Sequence, residues 1–312
     1  MKFEALKSKQ RGVILSTDIC ADCDDVGAVA LLHVYSKEYG FPILGMINSS
    51  SQELGTRTLY ALNRYVGRGD IPLGEWRGEP IFSDPALSCY TGVIAERFGQ
   101  NAPRGCESTS LYRRLLSEAD EDSVIIITIG AFNDLAALME SHSDEHSPLS
   151  GIELIAKKVH HVVSMACRDG AREFNVRHAP NAARLVLERS PCPIYISEFS
   201  VGKTVITGFD PSAGTEENPY FLSYKLYPYY GECQDASFDL TAVQFAVLGE
   251  GELYSLSEPR GIRFFSAEGS PDGVLDATEF TDDADGRIRL IRKNADDKKI
   301  ASEICRELSR IL

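Results

Sequence analysis

The chain has 312 residues, of which 43% are hydrophobic and 25% are charged, so it is long and apolar enough to bury a large core. Its formal net charge of -14 argues against nucleic-acid or membrane-surface partners, because both need basic side chains that neutralise phosphates. No apolar run approaches the roughly 20 residues of a transmembrane helix, and the first residues lack the apolar stretch of a signal peptide. We therefore expect a cytoplasmic protein with no membrane or nucleic-acid partner.

Apolar segments of strand length recur along the chain, and helical segments lie between them. The apolar character of each strand is continuous rather than alternating, which indicates strands that are covered by helices on both faces. We therefore predict an α/β fold with a doubly wound, mostly parallel sheet flanked by helices. The predicted strands are residues 13–17, 42–47, 123–129, 159–165 and 192–199, and the predicted helices are residues 24–36, 54–66, 131–141 and 180–189.

The chain beyond the fifth predicted strand changes in composition. Residues 200–236 are rich in Gly, Pro and Tyr, which is typical of an insertion or flap, and residues 240–249 return to a helical pattern. Two alternating segments near the end predict edge strands of a small antiparallel extension, and an amphipathic helix closes the chain. We expect a single domain over residues 1–312, with a core at about 13–250 and the extension at about 251–312.

Eight cysteines are spread over the whole chain, which is too sparse for a disulfide framework. We expect free thiols, and Cys167 and Cys192 lie beside apolar strands where a small hydrophobic side chain fits. Cys20 and Cys23 form a C-x-x-C pair, but they lie in an aspartate-rich turn and lack the small and Pro residues usual in redox motifs. A redox role for this pair is the less favoured alternative.

Four aspartates, Asp18, Asp22, Asp24 and Asp25, lie within eight positions between the first predicted strand and the first predicted helix. Like charges this close raise one another's pKa unless a cation compensates. Helix capping accounts for one or two of the four, because acidic side chains are favourable at a helix N-terminus. Ligands of doubly wound sheets bind beyond the carboxyl ends of the strands, and Asp18 directly follows a strand, so we favour a site for Ca²⁺ or Mg²⁺.

Two known patterns of acidic residues do not account for this cluster. Read as an EF-hand loop from Asp22, the segment has Gly27 at the sixth position but His33 where the bidentate Glu would stand. A haloacid-dehalogenase-type phosphatase would have a second acidic residue two positions after its nucleophilic aspartate, whereas Cys20 stands two positions after Asp18. A metal-dependent phosphohydrolase is therefore a minor alternative.

The segment D-I-C-A-D-C-D-D, residues 18–25, resembles the aspartate motif of the inosine-uridine-preferring nucleoside hydrolase family in its longer form, D-x-G-x-D-x-D-D. The resemblance implies that Asp18 is the general base on the attacking water and also a metal ligand. It further implies that Asp24 binds the ribose hydroxyls and that Asp25 binds Ca²⁺ through both oxygens.

Two stretches that follow later strands match the same family. Asn48, in GMINSS, stands at the place of a ribose-contacting Asn, although an Asn here is also a common turn cap. TIGAFNDLAALM matches the G-P-L-T-N-L-A segment, which puts Asn133 where the family uses a backbone carbonyl on calcium. The alternative is that Asn133 only caps a turn.

Three further segments extend the match to about residue 250. Met165, in SMACRDG, stands at the family's M-G-G turn. REFNVRHAPNAARLVLE matches the E-F-N segment, which implies that Glu173 and Asn175 hold the ribose, with Asn175 at its 5′-hydroxyl. SFDLTAVQFAVLG matches the H-D-x-x-A segment, which makes Asp239 the last calcium ligand. Read alone, Glu173 is a solvated charge and Asp239 a helix cap.

The half of the site that would contact the leaving base departs from the family pattern. Phe238 stands where the best-studied members have the His that assists the leaving base, and a phenyl ring stacks on a base but donates no proton. Cys20 replaces a glycine of the motif, and Ala179 replaces an acidic residue. Side chains just upstream of Phe238 would offer an acid or a stacking surface, or would only pack within the flap. They are Tyr227, Tyr229, Tyr230, Glu232 and Asp235.

Taken together, these matches predict a calcium-dependent hydrolase of N-glycosidic bonds in ribonucleosides or related ribosyl compounds. Asp18 would activate a metal-bound water, and Phe238 would be among the substrate contacts. The missing His leaves a second function open, a ribosyl-ligand binding protein that has lost turnover. Under both, the ligand is a small nucleoside or riboside. Members of the family often form dimers or tetramers, so a homo-oligomer is an open alternative.

Overall fold

A computed structural model describes residues 3–8, 11–20, 22–82, 89–227 and 229–312. An eleven-stranded sheet forms the centre of the molecule, and it separates two hydrophobic cores. The side chains of the first strand alternate between these cores: Val13 and Leu15 pack in one, whereas Ile14 packs in the other. The predicted doubly wound, mostly parallel α/β fold is therefore confirmed.

The described residues form the following strands and helices in chain order. The strands are β1 (Gly12–Thr17), β2 (Ile43–Asn48), β3 (Leu73–Glu75), β4 (Cys106–Glu107), β5 (Val124–Thr128), β6 (Val159–Met165), β7 (Ala171–Arg172), β8 (Ile194–Ser197), β9 (Ile206–Gly208), β10 (Gln234–Ala236), β11 (Tyr254–Leu256), β12 (Arg260–Phe265), β13 (Ala277–Asp282) and β14 (Ile288–Lys293). The helices are α1 (Asp24–Tyr39), α2 (Glu53–Tyr65), α3 (Thr91–Arg97), α4 (Ser108–Glu118), α5 (Asn133–Glu140), α6 (Gly151–Lys158), α7 (Phe174–His178), α8 (Pro180–Arg189), α9 (Phe199–Gly202), α10 (Pro219–Leu226), α11 (Phe238–Leu248) and α12 (Asp297–Leu308). None of these helices combines the length and the apolar character needed to cross a membrane.

Eight strands of the sheet run parallel, in the order β4-β3-β2-β1-β5-β6-β8-β14. β1 lies near the middle of this row, where Val13 is paired with Ile43 of β2 and with Ile125 of β5. Every residue of β1 is buried, as expected for a strand covered on both faces. Because parallel strands end at the same edge of a sheet, the residues that follow β1, β2, β5 and β6 are carried to one edge.

The C-terminal segments continue the main sheet. β14 pairs in parallel with β8, so the sequence RIRLI, predicted as an antiparallel edge strand, extends the parallel sheet by one strand. β12 pairs antiparallel with β14, β13 pairs antiparallel with β12, and β11 pairs antiparallel with β14. The predicted antiparallel extension is confirmed for these three strands. That residues 1–312 form one domain stays a prediction, with which a continuous sheet is consistent.

Two helices beside the sheet are buried around their whole circumference. In α1 every residue from Asp24 to Ser36 is buried, and in α11 every residue from Asp239 to Val247 is buried. Helices that are apolar on all sides lie inside a protein, and α1 packs directly against α11. The first turns of the two helices meet, and each of them carries aspartate.

The segment predicted as a flap, residues 200–236, is only partly exposed. It contains α10, whose residues 219–224 are buried and which packs against α1, α2 and α3. Asn218 caps this helix by accepting hydrogen bonds from the backbone of Tyr220 and Phe221. The flap prediction is therefore wrong for α10, whose aromatic side chains belong to the core. Exposed residues remain beyond it, including Tyr229, which is 72% exposed.

Candidate active site

A cavity of about 250 Å³ opens at the carboxyl ends of β1, β5 and β6. Residues that follow these strands meet there with the first residues of four helices, α1, α7, α9 and α11. The position is the one at which doubly wound sheets bind their ligands. The cavity is lined by Asp18, Asp22, Asp24, Ile129, Met165, Glu173, Phe174, Asn175, Phe199, Tyr230, Phe238 and Asp239.

Seven residues that the sequence analysis assigned to substrate or metal line this cavity, although they come from four separate segments of the chain. They are Asp18, Asp24, Met165, Glu173, Asn175, Phe238 and Asp239. Asp25 is buried beside them, and its Oδ1 accepts a hydrogen bond from the hydroxyl of Thr17. The fold therefore brings these side chains together, while the role assigned to each of them stays a prediction.

One group of carboxylates is compact enough to hold a metal ion. Among the described residues, Asp22, Asp24 and Asp25 offer oxygen atoms that lie within 4.8 Å of one another. Asp22 belongs to the aspartate cluster that was predicted to hold a cation, but no individual role was assigned to it, and its place in this compact group is new. Asp18 and Asp239 line the same cavity but stand outside the group. Ala21, the residue before Asp22, lies outside the described residues.

The aspartates are held in a strongly unfavourable environment for negative charge. Burial raises the pKa of Asp18, Asp24, Asp25 and Asp239 well above the usual range, and repulsion between neighbouring carboxylates raises each of them further. Burial also raises the pKa of Asp22. No Lys, Arg or His stands among the described lining residues to offset this charge. The cluster therefore has no cationic partner among the lining residues that the structure describes.

A hydrogen bond joins the first turns of α1 and α11. The backbone N–H of Asp239 donates to Oδ2 of Asp24 over 3.0 Å, between residues 215 positions apart in the sequence. Asp24 thus helps to cap α11 from a distance, since the amides of a first helical turn have no partner within their own helix. This contact fixes the two aspartates of the predicted site relative to each other.

Glu173 is a buried hydrogen-bond acceptor rather than a solvated charge. Its carboxylate accepts hydrogen bonds from the backbone N–H groups of Asn175 at 2.9 Å, Val176 at 3.2 Å and Cys167 at 3.1 Å. Burial raises its pKa, although these bonds oppose the rise. Cys167 has a left-handed backbone with φ of 71°, at the position of the second glycine of the family's M-G-G turn. Glu173 holds this strained turn at the cavity wall.

Asn175 is oriented by the ends of two strands. Its Nδ2 donates to the carbonyl oxygens of Ile129 at 3.2 Å and Met165 at 3.1 Å, the residues that follow β5 and end β6. No described residue donates a hydrogen bond to its Oδ1, so that oxygen is the acceptor available to a ligand in the cavity. The predicted ribose contact by Asn175 therefore has a suitable atom in place.

Asn48 and Asn133 do not line this cavity. The side chain of Asn48 accepts from the backbone and hydroxyl of Ser50 and donates to the carbonyl oxygen of Gln52 at 2.8 Å, as a turn cap does. Asn133 donates to the carbonyl oxygen of Ser49 at 2.9 Å. The bonds of Asn48 match the turn-capping alternative, because its polar atoms are used within the loop. The bond of Asn133 instead joins the start of α5 to the turn after β2, 84 positions away in the sequence. A ribose contact by Asn48 and a carbonyl ligand from Asn133 stay predictions.

Aromatic side chains form one part of the cavity lining, which we call the aromatic wall. Phe199 and Phe238 stack with ring centroids 5.2 Å apart and an interplanar angle of 25°. Phe174 lines the cavity and stacks on Phe82 at 4.9 Å and 6°. Tyr230, one of the upstream side chains considered above, also reaches the lining. Phe174 and Phe199 were missed, although Phe199 is the last residue of the predicted strand 192–199 and could have been found at that strand end.

Cys20, Cys23 and Asp235 are buried near the site but are not among its described lining residues. All eight cysteines are free thiols, as expected, and burial raises the pKa of both Cys20 and Cys23. A thiol whose deprotonation is disfavoured is a poor redox group. This agrees with the sequence-based preference against a redox role for Cys20 and Cys23. The backbone N–H and the thiol of Cys23 donate to Oδ2 of Asp235, whose pKa burial and Asp22 raise to about 7.

No protein-family model matches the chain, whereas individual proteins do. A pyrimidine-specific ribonucleoside hydrolase of Photobacterium profundum is 27% identical over 199 residues, which are 60% of this chain and 62% of that protein. The same enzyme of an Escherichia coli strain is 23% identical over 197 residues. The matching segment thus spans about three fifths of the length of these curated relatives.

Solved structures agree over nearly the whole chain. An inosine-guanosine nucleoside hydrolase superimposes with a TM-score of 0.70 and 16% sequence identity, covering 97% of this chain and 99% of that one. A plant nucleoside hydrolase gives a TM-score of 0.67 and 17% identity, covering 96% and 99%. At these identities the likeness shows a shared fold.

Proposed function

We propose that this chain, a divergent member of the nucleoside hydrolase family, hydrolyses the N-glycosidic bond of ribonucleosides or related ribosyl compounds with the help of a bound Ca²⁺ ion. The observation that carries the proposal is the convergence of seven predicted residues, from four segments of the chain, on one cavity at the ligand-binding edge of the sheet. A match by chance in sequence would not place them together.

The donor set fits a calcium ion. Asp22, Asp24 and Asp25 present oxygens within 4.8 Å of one another, and Asp18 and Asp239 line the same cavity. Buried carboxylates with raised pKa values and no cationic side chain among the described lining residues need a positive partner to ionise together. Oxygen ligands select a hard cation. Such an ion would supply a bound water that loses its proton more easily.

The residues of the chain divide the remaining work. Asp18, at the end of β1, would accept the proton of the water that attacks the anomeric carbon. Asp24, Glu173 and Asn175 would hold the ribose hydroxyls, and contacts that strengthen as positive charge develops on the sugar ring would lower the barrier. The aromatic wall would stack on the leaving base. Since Phe238 has no acidic proton to donate, assistance to the leaving group is not supplied at the position where a His would give it.

The same absence favours a second function, the binding of a ribosyl ligand without turnover. A cavity with metal and ribose ligands but no His at residue 238 would still bind a nucleoside. Only hydrolysis distinguishes the two functions. A substrate that needs no protonation of its leaving group is therefore the right test.

The test uses p-nitrophenyl riboside with Ca²⁺ present. We expect release of p-nitrophenolate by the unmutated protein and a rate lower by about 100-fold or more for Asp18→Asn, because loss of a general base costs that much. Asp18→Asn should still bind the substrate in calorimetry. Asp210→Asn, a substitution in an exposed turn, is the control and should keep the full rate.

Two results would contradict the proposal in different ways. An unmutated protein that binds p-nitrophenyl riboside but never cleaves it would establish the binding function instead. Equal rates for Asp18→Asn and the unmutated protein would remove Asp18 from its assigned role while leaving the hydrolase activity in place.

A further inference from the structure

The lining of the active-site cavity combines carboxylates with aromatic rings. Of its twelve described residues, five are acidic and four are aromatic. No Lys, Arg or His is present among them. Five ionised carboxylates outnumber the two charges of one Ca²⁺ ion, so the ion-loaded cavity keeps a negative potential beside its electron-rich ring faces, and both attract a positively charged group more than a neutral one. The ribose itself is neutral, so the preference applies to the base.

The aromatic wall shows the same attraction to cations. The guanidinium of Arg168 lies 4.9 Å from the ring centroid of Phe199, and the ammonium of Lys203 lies 5.3 Å from it. Both side chains belong to exposed residues outside the cavity, so solvent screens their charge. Phe238 stacks on the same ring and lines the cavity with it. The ring of Phe199 therefore makes cation–ring contacts, and the solvent-screened charges of Arg168 and Lys203 oppose a cationic ligand only weakly.

The described lining offers few groups that could donate a proton to a neutral leaving base. Such a base departs with extra negative charge and needs a proton as its bond to the sugar breaks. The carboxyl groups of the lining are those assigned to the ion and the ribose, and the one hydroxyl is that of Tyr230. His178 bonds to the carbonyl oxygen of Phe174 and lines a different cavity. A base that already carries positive charge needs no proton.

We infer that the preferred substrate is a riboside of a cationic aromatic base, such as an N-ribosylpyridinium, whose ring lies against Phe199 and Phe238. This inference rests on the proposed hydrolase function and adds the class of the leaving group. The reaction balances without an acid: the N-glycosidic bond breaks, its electron pair passes to the ring nitrogen, and the base leaves neutral. The attacking water adds to the anomeric carbon and loses one proton, so the products are ribose, the base and a proton.

The first experiment compares three substrates with the Ca²⁺-loaded protein. They are nicotinamide riboside, which is cationic, uridine, which has a neutral six-membered base, and p-nitrophenyl riboside. We expect kcat/KM for nicotinamide riboside to exceed that for uridine by at least about 100-fold, the value of a missing general acid. Inactivity on p-nitrophenyl riboside would defeat the hydrolase function. Turnover of p-nitrophenyl riboside with uridine equal to or better than nicotinamide riboside would defeat only the inference.

Binding separates recognition by the site from the greater chemical reactivity of the pyridinium. With Asp18→Asn, which holds the ligand without cleaving it, nicotinamide riboside should bind more tightly than its uncharged dihydro form. The expected ratio is about 2- to 30-fold, the range of a cation–ring contact expressed as affinity. Equal affinities would overturn the inference.

Two variants locate the effect in the wall. Phe238→Leu should raise KM for nicotinamide riboside by more than it raises KM for p-nitrophenyl riboside, because only the first ligand loses a cation–ring contact. Phe265→Leu removes a ring that Arg263 covers at 5.7 Å on β12, away from the cavity lining, and is the matched control. Phe238→His should raise the rate on uridine by about tenfold or more and add a fall at alkaline pH. Equal effects of Phe238→Leu on both substrates, or no gain from Phe238→His, would contradict the inference.

Discussion

At the scale of single residues, the aspartates of the first βα turn are buried, although an ionised carboxylate is more stable in water. Asp18, Asp24 and Asp25 are almost entirely buried; burial raises the pKa of all three, and the charge of Asp22 raises each of them further. Protons replace the missing positive charge when no ion is bound. Removal of the ion should therefore leave a measurable dependence of stability on pH.

The metal-free protein should become more stable as the pH falls from 7.5 to 6.5. A carboxyl group whose pKa is raised in the folded state takes up a proton there, while the same group unfolded stays ionised down to about pH 4. Each proton taken up adds up to about 1.4 kcal/mol per pH unit. Asp235, with a pKa of about 7, titrates within this interval. The melting temperature in excess EDTA is the measurement.

The interval is chosen because histidines act in the opposite direction at lower pH. Burial lowers the pKa of His33 and His161, so these groups subtract stability chiefly below about pH 6.5, where most of the unfolded imidazoles carry a proton. Asp235→Asn should flatten the rise, whereas Asp210→Asn, an exposed control, should not. A melting temperature that is constant or falls between pH 7.5 and 6.5 would contradict the raised pKa values.

At the scale of helices and strands, α1 packs against its neighbours through a glycine. A Cβ added to Gly27 would lie 2.2 Å from the Tyr224 hydroxyl oxygen and 2.9 Å from a methyl group of Leu240. The missing side chain thus lets α10 and α11 approach α1 closely. The hydroxyl of Tyr224 is buried there, and no hydrogen-bond partner for it exists among the described residues.

Tyr224→Phe should therefore stabilise the protein. Removal of a buried hydroxyl without a partner recovers a desolvation cost of about 1 kcal/mol or more. The matched control is Tyr220→Phe on the same helix, whose hydroxyl donates to the carbonyl oxygen of Leu62 at 3.1 Å. This second change should cost about 1 kcal/mol. Urea denaturation measures both free energies of unfolding, and a loss of stability in Tyr224→Phe would refute the account.

The elements that the sequence predicted are those with the most continuous burial. β1, β5 and β6 are apolar along their whole length because helices cover both faces, and this pattern is readable without coordinates. β3 and β4 have three and two residues, too few to show a period. α10 was read as a flap because Gly, Pro and Tyr usually mark loops, whereas packing against three helices decided its structure.

At the scale of the whole molecule, the site ties together parts of the chain that are more than 200 residues apart. Asp24 and Asp25 begin α1, and Asp239 lies in the first turn of α11. An ion shared by these carboxylates would bind the folded chain and not the unfolded one. It would therefore act on global stability as well as on chemistry.

Calcium should raise the melting temperature of the protein at pH 7.5. At a free concentration about 100 times the dissociation constant, a ligand of the folded state adds about 2.7 kcal/mol, which corresponds to several degrees for a chain of this size. Asp25→Asn should remove most of the increase. Asp283→Asn, in an exposed turn, should leave it unchanged. Identical melting curves in Ca²⁺ and in EDTA would argue against an ion at this site.

The site itself was predictable to the extent that strand ends determined it. Asp18 and Met165 follow or end central strands, so a parallel sheet had to bring them together once the strand order was known. Asn48 shows the limit, because its hydrogen bonds within the loop depend on side-chain geometry that no pattern encodes. Phe238 was predicted to stack on a base, but its stacking on Phe199 was out of reach, since that contact joins residues from different elements.

The pairing of β14 with β8 determines how far this chain can be truncated. The C-terminal residues are part of the main sheet. They include β14, which pairs with β8 and covers one of its two edges. A chain truncated before residue 251 would expose the unpaired backbone amides and carbonyls along one edge of β8. Further copies of the fragment would pair with this edge. We expect such a fragment to precipitate even if the cavity at the strand ends still forms.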